Sequence, residues 1–106
     1  MITKSEAEKI AYDHINRPDP YWKEKPEMVI TEIEERKENW LFYWTSKLYL
    51  ETKNISHALA GNGPILVSKS DGGFKAVGTA PPLKERIEEA ESSLKSKIEP
   101  GGAGNA

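Results

Sequence analysis

Among the 106 residues there is no cysteine, which removes disulfides, thiolate-ligated zinc, iron–sulfur clusters and thiol catalysis together. Histidine is almost as scarce, His14 and His57 being the only two. A long hydrophobic run is also missing. The longest nearly apolar stretch, Trp40 to Trp44, is far below the roughly 20 residues that span a bilayer, so no membrane association is expected. Nor is there an excess of positive charge: 15 Lys and Arg against 17 Asp and Glu leave a formal charge of -2. Nucleic-acid binding draws on clustered cations that release counterions from phosphates, and no such cluster is present. Met1 to Ile10 place Lys4, Glu6, Glu8 and Lys9 where a signal peptide needs an apolar core, so a cytoplasmic protein is expected.

What remains is an ordinary globular composition, 37% hydrophobic and 30% charged, of a length that supports one core. Thr3 with Glu6 three residues on has the capping-box spacing, and Ala7, Ile10, Ala11, His14 and Ile15 follow as one apolar helical stripe. Arg17-Pro18 ends that helix. Pro18 to Pro26 contains three prolines and reads as a loop, with Tyr21 and Trp22 expected to anchor it to the body. Met28 to Arg36 and Trp40 to Ser46 read as strands, joined by a short reversal at Lys37-Glu38-Asn39. Lys47 to Asn62 is less regular, with a helical turn expected near Ser56–Ala60. Ile65 to Lys69 and Phe74 to Val77 form a second hairpin around Ser70-Asp71-Gly72-Gly73. Leu83, Ile87, Ala90, Leu94 and Ile98 then mark an amphipathic helix.

The expected architecture is an α+β two-layer sandwich: an N-terminal helix, a four-stranded antiparallel sheet built from two hairpins, and a C-terminal helix. Both helices would cover one face. Residues 1–99 form a single domain, and the Gly-rich stretch 100–106 is expected to be a disordered tail.

No chemistry stands out. His14 belongs to the first helical stripe, and Ser56-His57 lacks the orienting carboxylate and oxyanion hole that a triad needs. There is no HExxH, no calcium loop and no histidine pair at ligand spacing, so neither metal nor cofactor is expected. Gly61-Asn62-Gly63-Pro64 lacks the third glycine or the Gly-Lys of a phosphate loop and reads as turn chemistry, with Gly or Asn at positive φ. The carboxylates at Glu32, Glu34, Glu35 and Glu38 read first as a solvated face. The strand from Trp40 to Thr45 is the unusual element. Trp40, Phe42 and Trp44 point one way and Leu41 and Tyr43 the other, so a two-layer fold leaves large apolar groups on an open face. Two readings follow: a partner surface, or a core wrapped by the Pro18–Pro26 loop and the segment around Tyr49.

Trp40-Leu-Phe-Tyr-Trp-Thr-Ser-Lys, Tyr49-Leu-Glu-Thr and Ala58-Leu-Ala-Gly-Asn-Gly-Pro-Ile-Leu-Val together resemble the immunity protein 35 family, the YrhB-domain proteins. The Asp71-Gly-Gly turn, the Gly78-Thr79-Ala80 exit and the closing acidic helix fit the same layout, and the resemblance covers about residues 2 to 92. It implies an α+β immunity protein of a bacterial polymorphic-toxin system, without catalysis, that binds and neutralises a cognate toxin by steric occlusion. The toxin would be encoded by the adjacent gene. An inhibitor of that kind needs aromatic anchors and complementary charge. Tyr43, Trp44 and Tyr49 would be the anchors, and Glu32, Glu34 and Glu35 the rim charges that steer a basic toxin. A small chaperone-like protein-binding domain is the alternative, and the antiparallel sheet edges leave a homodimer open.

Overall fold

The computed structural model describes residues 1–53 and 63–98, with side chains through residue 95. Helix α1 (Lys4–Ile15) is followed by strands β1 (Met28–Glu35) and β2 (Asn39–Ser46), the short helix α2 (Lys47–Thr52), β3 (Ile65–Ser68), β4 (Phe74–Ala76) and helix α3 (Leu83–Ile98). The strands form one antiparallel sheet in the order β1-β2-β3-β4. The expected helix turn at Ser56–Ala60, the tail at 100–106 and His57 lie outside the described residues.

Helix α1 starts as its cap dictates. Thr3 Oγ1 accepts from the Glu6 amide at 3.1 Å, and Glu6 Oε1 accepts from the Thr3 amide at 2.8 Å, satisfying two otherwise orphaned donors. Ala7, Ala11 and Ile15 recur every fourth residue and are buried, the alanines letting the helix lie close to the sheet. They pack on Trp40 and Phe42 of β2 and Ile65 and Val67 of β3. His14 is half-buried beside them, its ring 4.8 Å from that of Phe74.

The layering differs from the sandwich expected. Leu41 and Leu66, on the other face of β2 and β3, form a separate core with Val77 and with Ile87, Ala90 and Leu94 of α3. The helices therefore cover opposite faces, giving three layers, α1–sheet–α3. The reason is β2 itself: Trp40, Leu41 and Phe42 are all buried, so alternation forces a cover on both sides.

Strand β1 carries an irregularity that matters to its faces. Ile30 pairs with Trp44 and Glu32 with Tyr43, so the register shifts by one residue around Thr31. Strict alternation would send Ile30 and Ile33 to opposite faces, whereas both pack against the α1 core. The extra residue in the bulge removes the conflict.

Helix α2 is a further departure, replacing an irregular stretch. Ser46 Oγ accepts from the Tyr49 amide at 3.0 Å and caps it, and Lys53 ends it in the left-handed region at φ 55. Gly72, at φ 79, makes the β3–β4 turn as expected. Gly63 works differently from the positive-φ role expected of its segment. A Cβ there would collide with the carbonyl oxygen of Val77, so the residue is needed for close backbone approach, beside the hydrogen bond from Val77 N to Pro64 O at 2.9 Å. Gly63→Ala is expected to destabilise the fold by about 1–3 kcal/mol, the usual cost of overpacking, read as a lower midpoint in urea unfolding.

Candidate functional site

The sheet sorts the residues expected to meet a partner. Pairing of Glu32 with Tyr43 and Glu34 with Leu41 puts Glu32, Glu34 and Tyr43 on the face that carries α3. Helix α3 lies over β3 and β4 and buries Leu41 of β2, so this face is left outward-looking around Glu32, with Tyr43 packed at the border of the α3 core. There Glu32 is exposed, while Glu34 and Tyr43 are half-buried. The Tyr43 hydroxyl reaches Glu34 Oε1 at 3.5 Å. Burial pushes its pKa up, and the neighbouring Glu34 and Glu32 carboxylates push it further, so the hydroxyl stays protonated and able to donate.

Glu35, Trp44 and Tyr49 are placed elsewhere. Glu35 pairs across the sheet with Trp40, on the α1 face, and its carboxylate meets Lys69 Nζ at 2.8 Å. That contact holds its pKa below the usual carboxylate range. Lys69 also stands 5.2 Å from the Trp40 ring centroid, a cation–π contact. Trp44 is packed against the α1 core, and its Nε1 donates to the Gly63 carbonyl at 2.8 Å. Tyr49 is half-buried on α2, beyond the end of β2.

Beside the open half-face lies a polar network with no local signature in the residues. Arg36 Nε donates to Glu91 Oε2 at 2.7 Å and Nη2 to Glu91 Oε1 at 3.2 Å, a two-pronged contact from the β1–β2 turn to α3. Its Nη1 donates to Glu34 Oε2 at 2.8 Å, and Asn39 Nδ2 donates to Glu91 Oε2 at 3.1 Å. Arg36 sits above its ordinary pKa because of Glu91 first, and Glu91 below its own because of Arg36 first, then Asn39. The fork geometry ties α3 across to the edge strand that it does not cover. Asn39 and Glu91, with Ser68, Ser70 and Lys95, also line a cleft of about 680 Å³. Of its three carboxylates, Glu38, Glu88 and Glu91, the last is paired with Arg36.

Tyr21 and Trp22 are both expected to anchor their loop, yet Tyr21 is 97% exposed, while Trp22, at 39%, is more than half covered. Their proline-rich surroundings were legible; the direction in which the rings point was not. Among the described residues, no group of three or more His, Asp or Glu side chains could hold a metal ion. No helix among them is long and apolar enough to cross a membrane.

The Arg36–Glu91 pair makes a pH-dependent contribution to stability. Its benefit is fully present above the ordinary glutamate value of about 4.3 and is lost as pH falls through the lower value that Glu91 has when folded. Glu91→Gln is expected to cost about 1–3 kcal/mol at pH 7, as for a hydrogen bond to a charged group. The gap between wild type and variant should close on acidification below pH 4, measured by urea unfolding across that range.

No solved structure matches the chain. A curated protein from Escherichia coli (strain K12), named "Uncharacterized protein YrhB", is 34% identical over 64 residues, which cover 60% of this chain and 68% of that protein. Residues 5–90 match the family described as Immunity protein 35, nearly the whole described fold from α1 into α3. The family match over residues 5–90, together with a relative of the same kind, makes this chain a member of the immunity protein 35 family.

Proposed function

We propose that this chain is a cytoplasmic bacterial immunity protein that binds the toxin encoded by the adjacent gene and blocks it by steric occlusion. The observation that carries the reading is membership of a family described as immunity proteins, which we read as neutralising a toxin. The open β1–β2 half-face is the seat proposed for the toxin. Tyr43 supplies an aromatic ring with a donor at its tip, and Glu32 and Glu34 supply acidic charge that draws in a basic surface. Glu34 is braced by Arg36, so one carboxylate is fixed in place while Glu32 stays exposed. Occlusion asks for no catalysis from this chain, and none is proposed. A toxin that also reached Glu35, Trp44 or Tyr49 would have to wrap around the β1 edge or the end of β2.

The test is co-purification with the adjacent gene product, followed by a kinetic binding measurement. Wild type is expected to form a stable one-to-one complex that abolishes toxicity. Glu32→Lys should slow association and flatten its dependence on salt, because a rim charge acts mainly on encounter. Tyr43→Ala should speed dissociation about tenfold or more, the mark of a buried aromatic anchor. Absence of a complex with well-folded protein, or suppression of aggregation for several unrelated clients instead, would overturn the immunity reading. Unchanged kinetics in both variants would overturn the seat.

A further inference from the structure

The segment between α1 and β1 is built as a closed, stiff loop. At its base the Asn16 side chain bonds to both backbone groups of Met28, Nδ2 donating to the carbonyl at 3.0 Å and Oδ1 accepting from the amide at 2.8 Å. This amide imitates one rung of a β-ladder, so the chain leaves and re-enters the body at one point, as in an Ω-loop. Pro18, Pro20 and Pro26 fix three backbone angles inside it. Asp19 then shapes the tip: its carboxylate accepts from the Tyr21 amide at 2.9 Å and its carbonyl from the Trp22 amide at 3.0 Å. Lys25 Nζ crosses the loop to the Arg17 carbonyl at 2.9 Å.

All this order ends in a tyrosine that folding does not use. Tyr21 is 97% exposed, and Trp22 stands next to it at the wall of a cleft of about 410 Å³ under the loop. A rigid aromatic side chain on a pre-ordered loop loses little entropy when a partner buries it, which is how small inhibitors present their anchors. The loop also runs directly into β1. It leaves α1 on the face opposite the acidic half-face and joins the sheet edge, where the strand advances at most about 13 Å from Met28 to Glu32, so a partner that holds both wraps the β1 edge within one interface of ordinary size.

We propose that this loop is a second toxin-contacting element, with Tyr21 entering a concave apolar pocket on the toxin and Trp22 packing at the pocket's rim. The proposal rests on the immunity reading and adds to it the shape of the partner: an apolar pocket reached around the β1 edge from a basic surface. The occupant is a protein because a convex ring on a closed loop needs a concave acceptor, and the loop's cations Arg17, Lys23 and Lys25 are matched by Asp19, Glu24 and Glu27, leaving no positive excess to hold a nucleic acid.

The experiment is an equilibrium titration of the adjacent gene product with wild type, Tyr21→Ala, Tyr21→Phe and Glu32→Lys, with melting temperatures measured alongside. Tyr21→Ala is expected to weaken binding about thirtyfold, the loss typical of a hot-spot aromatic, while Tyr21→Phe stays close to wild type. Melting temperatures should not move, since the ring has nothing to lose on the folded protein. Undiminished affinity in Tyr21→Ala together with weakened binding in Glu32→Lys would discard the loop contact and leave the immunity reading standing. Failure of wild type to bind that product would remove both.

Discussion

The structure depends on a strand that is apolar on both sides. Trp40, Leu41 and Phe42 are consecutive and all buried, and consecutive residues in a strand cannot share a face. Both faces of β2 therefore need a lid, which a short chain can provide only by spending a helix on each. Helix α1 takes the Trp40–Phe42 side with a narrow, alanine-lined stripe, and α3 takes the Leu41 side. The bulge in β1 serves the same demand, turning Ile30 and Ile33 together toward the α1 core.

Much of this was legible in the residues. The capping box at Thr3 and Glu6, the stripe on α1, the four strands and the span of α3 all follow from spacing and turn chemistry. Layering was not, because periodicity shows that a helix has an apolar face without showing which surface it meets. The sequence does contain the clue, an unbroken apolar run in one strand, but a partner surface or a core wrapped by loops accounts for that run equally well. Helix α2 escaped notice because six residues capped by Ser46 carry too few turns to show a period.

The candidate site was legible in part. Glu32, Glu34 and Tyr43 meet because strand register brings them together, and register could be read only once the bulge at Thr31 was known. Without that extra residue, counting along β1 assigns the residues on its two sides to the wrong relative faces. The Arg36–Glu91 contact spans 55 residues and has no local signature at all. It explains how α3, seated over β3 and β4, is nonetheless fastened to the opposite edge of the sheet. The half-face left open beside it carries Glu32 and Glu34.

The sheet also acts as a partition. The two apolar clusters have no buried side chain in common, and what they share is the backbone of the strands between them. Changes in one cluster are thus largely hidden from the other, and their energetic effects should add. A domain with this construction can accumulate substitutions under α3, next to the proposed seat, while the α1 side keeps the strands in register. That separation is a source of evolvability: the surface beside α3 can drift without a renegotiation of the fold.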